Sequence, residues 1–104
     1  MASGKLGTPA DLTAATDTLI YTVPALKVAT VNVRFANRNA AAVKVRLAIG
    51  TGASPAVTDY IDYDVTLAAN GVLEDTGMVL TDGEKVWARS DTANVTVRAH
   101  GMEA

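Results

Sequence analysis

From Thr18 onward the sequence alternates apolar and polar residues with a period of two, and turn residues interrupt the pattern every 8–12 positions. Period two sends successive side chains to opposite faces of an extended chain, so it predicts half-buried strands and excludes long helices. In 28–37, Val31, Val33 and Phe35 share one face, and Asn32 and Arg34 the other. In 42–49, Val43, Val45, Leu47 and Ile49 oppose Lys44 and Arg46. In 58–67, Ile61, Tyr63, Val65 and Leu67 are predicted inward, against Tyr60, Asp62, Asp64 and Thr66. Segments 18–23, 72–80, 85–90 and 94–100 complete the series. Thirteen valines and thirteen threonines suit a pleated surface. Pro24, Asn37-Arg38-Asn39-Ala40, 50–55, Asn70-Gly71 and Asp82-Gly83 supply the turns. The predicted fold is all-β: one small β-sandwich or jelly-roll-like domain of seven or eight antiparallel strands over 18–104. Its predicted core is Val31, Val33, Phe35, Val45, Leu47, Ile61, Val65 and Val97.

Residues 1–17 lack the alternation. Gly4, Gly7 and Pro9 mark them as an extended N-terminal arm, with Leu6 and Leu12 as its only large apolar side chains after Met1. Such an arm is expected to hold the protein against a neighbouring surface rather than to hold its fold together. Nineteen of the apolar residues are alanine, so the core is expected to be modest and supplemented by neighbouring copies. A homo-oligomer follows, with a three-fold axis favoured.

Nine basic and eleven acidic residues leave a net charge of −2, so no global field draws the chain to nucleic acid or membrane. No apolar run approaches the ~20 residues of a membrane span, and no signal-peptide core follows Met1. Cysteine is absent, which removes disulfides, thiolate metal sites and thiol catalysis.

The remaining chemistry is thin. Asp62 and Asp64, two apart on a strand, would point to one side at roughly 6.5–7 Å. That spacing suits an inverting glycosidase, but such a pair also needs one buried carboxyl with a raised pKa. It reads instead as a solvated face opposite Arg34, Lys44 and Arg46. Asp59, Asp62 and Asp64 lack the glycine and terminal glutamate of a calcium loop. His100 is the only histidine, so it supplies neither a zinc set nor a triad base for Ser3, Ser54 or Ser90. Gly50 and Gly52 precede Pro55 and a strand rather than a helix, so they do not form a phosphate loop. No catalytic, cofactor or metal residues are therefore expected.

Binding residues are better represented. Val31-Asn32-Val33-Arg34, Val43-Lys44-Val45-Arg46 and Val95-Thr96-Val97-Arg98 repeat one tetrad. Strand patterning explains it, and so would Arg34, Arg46 and Arg98 lining one face that meets an acidic partner. Trp87 sits between Val86 and Ala88, so an inward valine turns the indole outward as an interface anchor or sugar platform. Tyr60 stands similarly beside Ile61. The candidate interface is thus Leu6, Leu12, Arg34, Arg46, Tyr60, Asp62, Asp64, Trp87 and Arg98.

Several stretches in order carry a resemblance: Tyr21-Thr22-Val23-Pro24-Ala25 running into Lys27-Val28-Ala29-Thr30-Val31; Val33-Arg34-Phe35-Ala36-Asn37-Arg38-Asn39; Asp59-Tyr60-Ile61-Asp62-Tyr63; Leu67-Ala68-Ala69-Asn70-Gly71-Val72-Leu73-Glu74; and Asp82-Gly83-Glu84-Lys85-Val86-Trp87-Ala88-Arg89-Ser90 before Val95-Thr96-Val97-Arg98-Ala99-His100-Gly101. From Leu19 onward the chain resembles small β-sandwich proteins and modules of tailed-bacteriophage virions. One departure is Leu26, where such proteins often place glycine after the proline-alanine turn. Either the turn differs or Leu26 is used in a contact. The resemblance implies a non-enzymatic virion component in symmetric multiple copies, on the capsid as decoration, at the head–tail collar, or on the tail. Its implied partners are the major capsid protein or neck and tail proteins, with a host-surface glycan as the alternative.

Overall fold

Alternation of the predicted kind is found in β3 (Val28–Asn37), where every second side chain from Ala29 to Asn37 is buried. The same holds along β8 (Val95–Glu103) from Val95 to Ala99. In the computed structural model, which describes residues 3–104, six further strands join them. They are β1 (Ser3–Asp11), β2 (Thr18–Thr22), β4 (Val43–Gly50), β5 (Tyr60–Leu67), β6 (Val72–Thr81) and β7 (Lys85–Ser90). A single 3-10 turn, Val57–Asp59, precedes β5.

The strands form two four-stranded antiparallel sheets, ordered β1-β8-β3-β6 and β2-β7-β4-β5. The pairings β1 with β8, β2 with β7, β3 with β6 and β4 with β5 are nested. The chain is therefore a long ribbon folded back on itself and rolled into two layers, a jelly roll. Only β4 and β5 are consecutive neighbours within one sheet. The turn at Asn37-Arg38-Asn39-Ala40, of hairpin length, and the Asn70-Gly71 turn both carry the chain from one sheet to the other. Asn37 is buried at the first crossing, and its amide is well satisfied. It donates to the carbonyls of Ala41 and Ala68, both at 2.9 Å, and accepts the Asn39 amide at 2.9 Å.

Between the layers lie Val31, Val33 and Phe35 of β3, Val45 and Leu47 of β4, Val86 and Ala88 of β7, and Val95, Val97 and Ala99 of β8. Each valine or leucine enclosed in this way contributes about 1.5–3 kcal/mol. Two residues of the predicted core depart from expectation. Val65 is only partly buried, and Ile61 is 51% exposed.

The predicted N-terminal arm is the largest correction. Ser3–Asp11 is an edge strand paired with β8 from Ser3 opposite Met102 to Asp11 opposite Thr96, with a register shift between Leu6 and Ala10. Leu6 and Leu12 are core residues, not interface residues. The domain accordingly includes the described residues from Ser3, not from residue 18; Met1 and Ala2 lie outside the described residues. Gly7 shows why the sequence looked irregular. Its backbone is left-handed (φ 66°), and a Cβ there would overlap the Ile20 carbonyl oxygen. Glycine is what lets β1 close against β2 across the two sheets.

Candidate interaction surfaces

The rolled ribbon has two outer faces and an open long edge where β5 and β6 oppose one another. The candidate residues are divided among them, so the three arginines do not share a face. Arg34 and Arg98 stand directly opposite each other on the outer face of the β1-β8-β3-β6 sheet. Arg46 is on the outer face of the other sheet.

Around Arg46 the second face is internally paired. The guanidinium grips the Asp64 carboxylate through Nε at 2.7 Å and a second nitrogen at 3.3 Å. It also lies 4.0 Å from the centre of the Tyr63 ring, which meets Tyr60 edge-on at 5.3 Å. The Arg46 hydrogen bonds hold the Asp64 carboxyl below its ordinary range. The Tyr60 hydroxyl donates to Asp17, which also takes an ion pair from Arg89. Burial, and then the Asp17 carboxylate, push the Tyr60 hydroxyl up. Lys44, Arg46, Asp64, Arg89, Asp91 and Ala15 border a hollow of about 180 Å³, three cations facing two carboxylates. Beside it, Val57, Tyr60 and Tyr63 line an apolar hollow of about 330 Å³. Trp87 does turn outward on this sheet, but it sits in register between Leu19 and Ala48 and is only 4% exposed. It packs its own sheet and offers no platform.

Asp62 and Asp64 prove to lie on opposite sides. Val45 opposes Val65 while Leu47 opposes Asp62, so β5 carries an extra residue between them. Asp64 adopts φ 53° within this bulge, and the added residue exchanges the faces. A second irregularity follows at once, because Ala48 opposes Tyr60, which leaves Ile61 outside the ladder. Asp64 therefore faces Arg46, while Asp62 turns between the sheets towards Asp75 of β6. Asp62 and Asp75 each keep Oδ2 buried with no hydrogen-bond partner. Burial, followed by the neighbouring Asp75, pushes the Asp62 carboxyl up to about 7. A proton held between the two carboxyls turns their repulsion into a hydrogen bond.

This pair makes stability depend on pH. Unfolded, Asp62 ionises near 3.9, the usual aspartate value. Between about pH 4 and 7 the folded chain therefore binds more protons than the unfolded one. Stability should fall as pH rises through that window and level off above it. Discounted for partial solvent access, the loss is about 2 kcal/mol. Urea midpoints at pH 5 and pH 8 test it, and Asp62→Asn should remove the slope and stabilise the protein at pH 8. A wild-type chain equally stable at both values would show that no proton is shared.

The other outer face is less self-contained. Lys5 opposes His100, and Arg34 opposes Arg98. Only Arg34 of these is in an ion pair among the described residues, with Glu74 at 3.4 Å. Next to them Val79, Thr30 and Met102 form one cross-strand row, with Val28 in the row beyond. Val28, Val79 and Met102 are all exposed. Leu26 crowns this end at the turn closed by the Lys27 amide on the Pro24 carbonyl (3.2 Å). It is 93% exposed, and its backbone is left-handed at φ 63°. The type II geometry expected of glycine is thus present with leucine in it, at a cost of about 1 kcal/mol. Asp82 Oδ2 holds the conformation by accepting the Leu26 N–H at 3.2 Å.

Sequence reasoning did not find Leu26's neighbours Val28, Val79 and Met102, or Asp75. The departure at Leu26 was its one signal. No family model, no curated protein and no solved structure matches this chain.

Proposed function

We propose that this protein is a non-enzymatic structural accessory of a tailed-bacteriophage virion, decorating the capsid or forming part of the head–tail collar in symmetric multiple copies. Three-fold association is the favoured arrangement. The observation that carries this reading is the display of large apolar side chains on a well-packed jelly roll. Leu26, Val57, Val79 and Tyr63 are all mostly exposed. A free monomer gains nothing from such exposure, whereas a part buried in a lattice does. The virion resemblance from Leu19 onward supplies the setting, and jelly rolls are in regular use in viral capsids. Fold alone is analogy, so the test is direct. Particles assembled without this chain should take up the purified protein at symmetry-related positions, visible by electron microscopy. Absence of binding to heads, necks and tails alike would refute the assignment.

One observation favours a second reading, a tail-associated module binding a host-surface glycan. The hollow of Val57, Tyr60 and Tyr63 offers aromatic surface beside hydrogen-bonding Arg46 and Asp64. Jelly rolls also serve as lectin domains. Glycan-array binding that is lost in Tyr63→Ala would establish it.

A further inference from the structure

We infer that the outer face of the β1-β8-β3-β6 sheet, headed by Leu26, is the docking surface for an acidic protein surface that contains an apolar pocket. The inference rests on the proposal that the protein works by binding other virion proteins, and it names the face and the chemistry of that partner.

Charge is the first argument. Lys5, Arg34 and Arg98 face outward here together with the carboxylates of Glu74 and Asp11, of which Asp11 is paired with Arg38 of the adjoining turn, and His100 is counted neutral. Four cations (Lys5, Arg34, Arg38 and Arg98) less two anions (Asp11 and Glu74) leave +2 on this face, within a chain of net charge −2. Like charges directly opposite each other destabilise a sheet. Arg98 nevertheless stands opposite Arg34, and neither Lys5 nor Arg98 has an ion-pair partner among the described residues. On the opposite sheet both arginines, Arg46 and Arg89, are paired with aspartates. An arrangement that costs the isolated fold and is compensated by an acidic surface fits a binding face.

Leu26 is the second argument. A leucine in a left-handed turn where glycine would fit without strain, and almost fully exposed, gives the fold nothing in return. An apolar pocket on a partner accounts for both the exposure and the strain, because a fixed side chain loses little freedom on binding. Val28, Val79 and Met102 extend the apolar contact from Leu26 towards the cations.

The composition selects a protein over the alternatives. Nucleic acid would be served by a continuous basic track, and here apolar side chains occupy one end of the face. A second copy docked isologously would set one +2 face against another.

The experiment follows backbone amide NMR signals of the full chain during titration with poly-L-glutamate and, separately, with duplex DNA. In parallel, occupancy on particles is measured for wild type, Leu26→Gly, the double variant Lys5→Glu/Arg98→Glu, and Thr66→Glu, which places a carboxylate opposite Lys44 on the other outer face. Folding is retained by design, since glycine relieves the turn and a carboxylate in place of Arg98 would gain a cross-strand partner in Arg34. Poly-L-glutamate should shift signals around Lys5, Arg34 and Arg98, and the double variant should abolish those shifts. Leu26→Gly and the double variant should each lose at least about ten-fold in particle affinity, with Thr66→Glu unaffected. Shifts confined to the β2-β7-β4-β5 sheet, no shifts, or tighter binding of DNA would overturn the inference. So would loss of particle binding in Thr66→Glu alone, or loss of self-association in the double variant. If wild type binds no particle, the virion assignment fails by itself, and the poly-L-glutamate map still decides the face.

Discussion

Deleting residues 3–16 should abolish cooperative unfolding, leaving a chain with no sharp thermal transition. The deletion removes β1 and with it the fully enclosed Leu6 and Leu12. Leucine-to-alanine changes in a packed core cost about 2–5 kcal/mol each, and here the cavity would be larger. Together the two approach the 5–15 kcal/mol that ordinarily separates a folded domain from its unfolded state. The backbone loses as well. β8 would become an edge, and the Val95 carbonyl would lose the Leu12 amide that now donates to it at 2.9 Å. Circular dichroism during heating is the measurement. A truncated chain that melts like wild type would restore the view of this segment as an arm and contradict its place in the sheet.

Phe35→Ala should have the next largest effect. Its ring has no solvent exposure and sits mid-strand, with Val97 on one side and Leu73 on the other in register. Emptying such a site costs about 3–5 kcal/mol, because strands held on both sides cannot collapse into the space. Phe35→Leu should recover most of the loss by refilling the volume. The urea midpoint reads this directly, and the slope of the transition should not change. An unaltered midpoint would mean that the ring is not enclosed.

These outcomes bear on how much of the molecule could be read from its sequence. β3 was legible at both ends because nothing interrupts its alternation, and β7 likewise had readable ends although Trp87 is buried on its outer side. Every inward residue predicted for β3 is buried. β5 was not legible, because two irregularities in eight residues reset the faces and neither leaves a glycine or proline as a mark. Asp64 adopts positive φ, which aspartate tolerates but does not advertise. The N-terminal strand was missed for the opposite reason. Its glycines look like punctuation, yet Gly7 is there to admit the Ile20 carbonyl. Among candidate interface residues, Arg34 and Arg98 proved neighbours and Arg46 was drawn to the other sheet, since pairing across strands is non-local. The Asp62–Asp75 contact was beyond reach for the same reason. It joins edge strands of different sheets, and only the roll brings them together.

The nested order of the strands also has a kinetic consequence. The β4–β5 hairpin is the only pair that can close across a short connection, so the first stable contacts should form there. Each further pairing encloses the one before: β3 with β6, then β2 with β7, and finally β1 with β8. Of the described strands, β1 is synthesised before the rest and must therefore wait for β8. High contact order of this kind places folding in the millisecond-to-second range, slow for a domain of this length. Meanwhile β8 presents an unpaired edge to any other copy nearby. Seating that last pair is the step at which assembly and misassembly compete. Substitutions in β1 should therefore mainly accelerate unfolding, while those in β4 and β5 should slow folding.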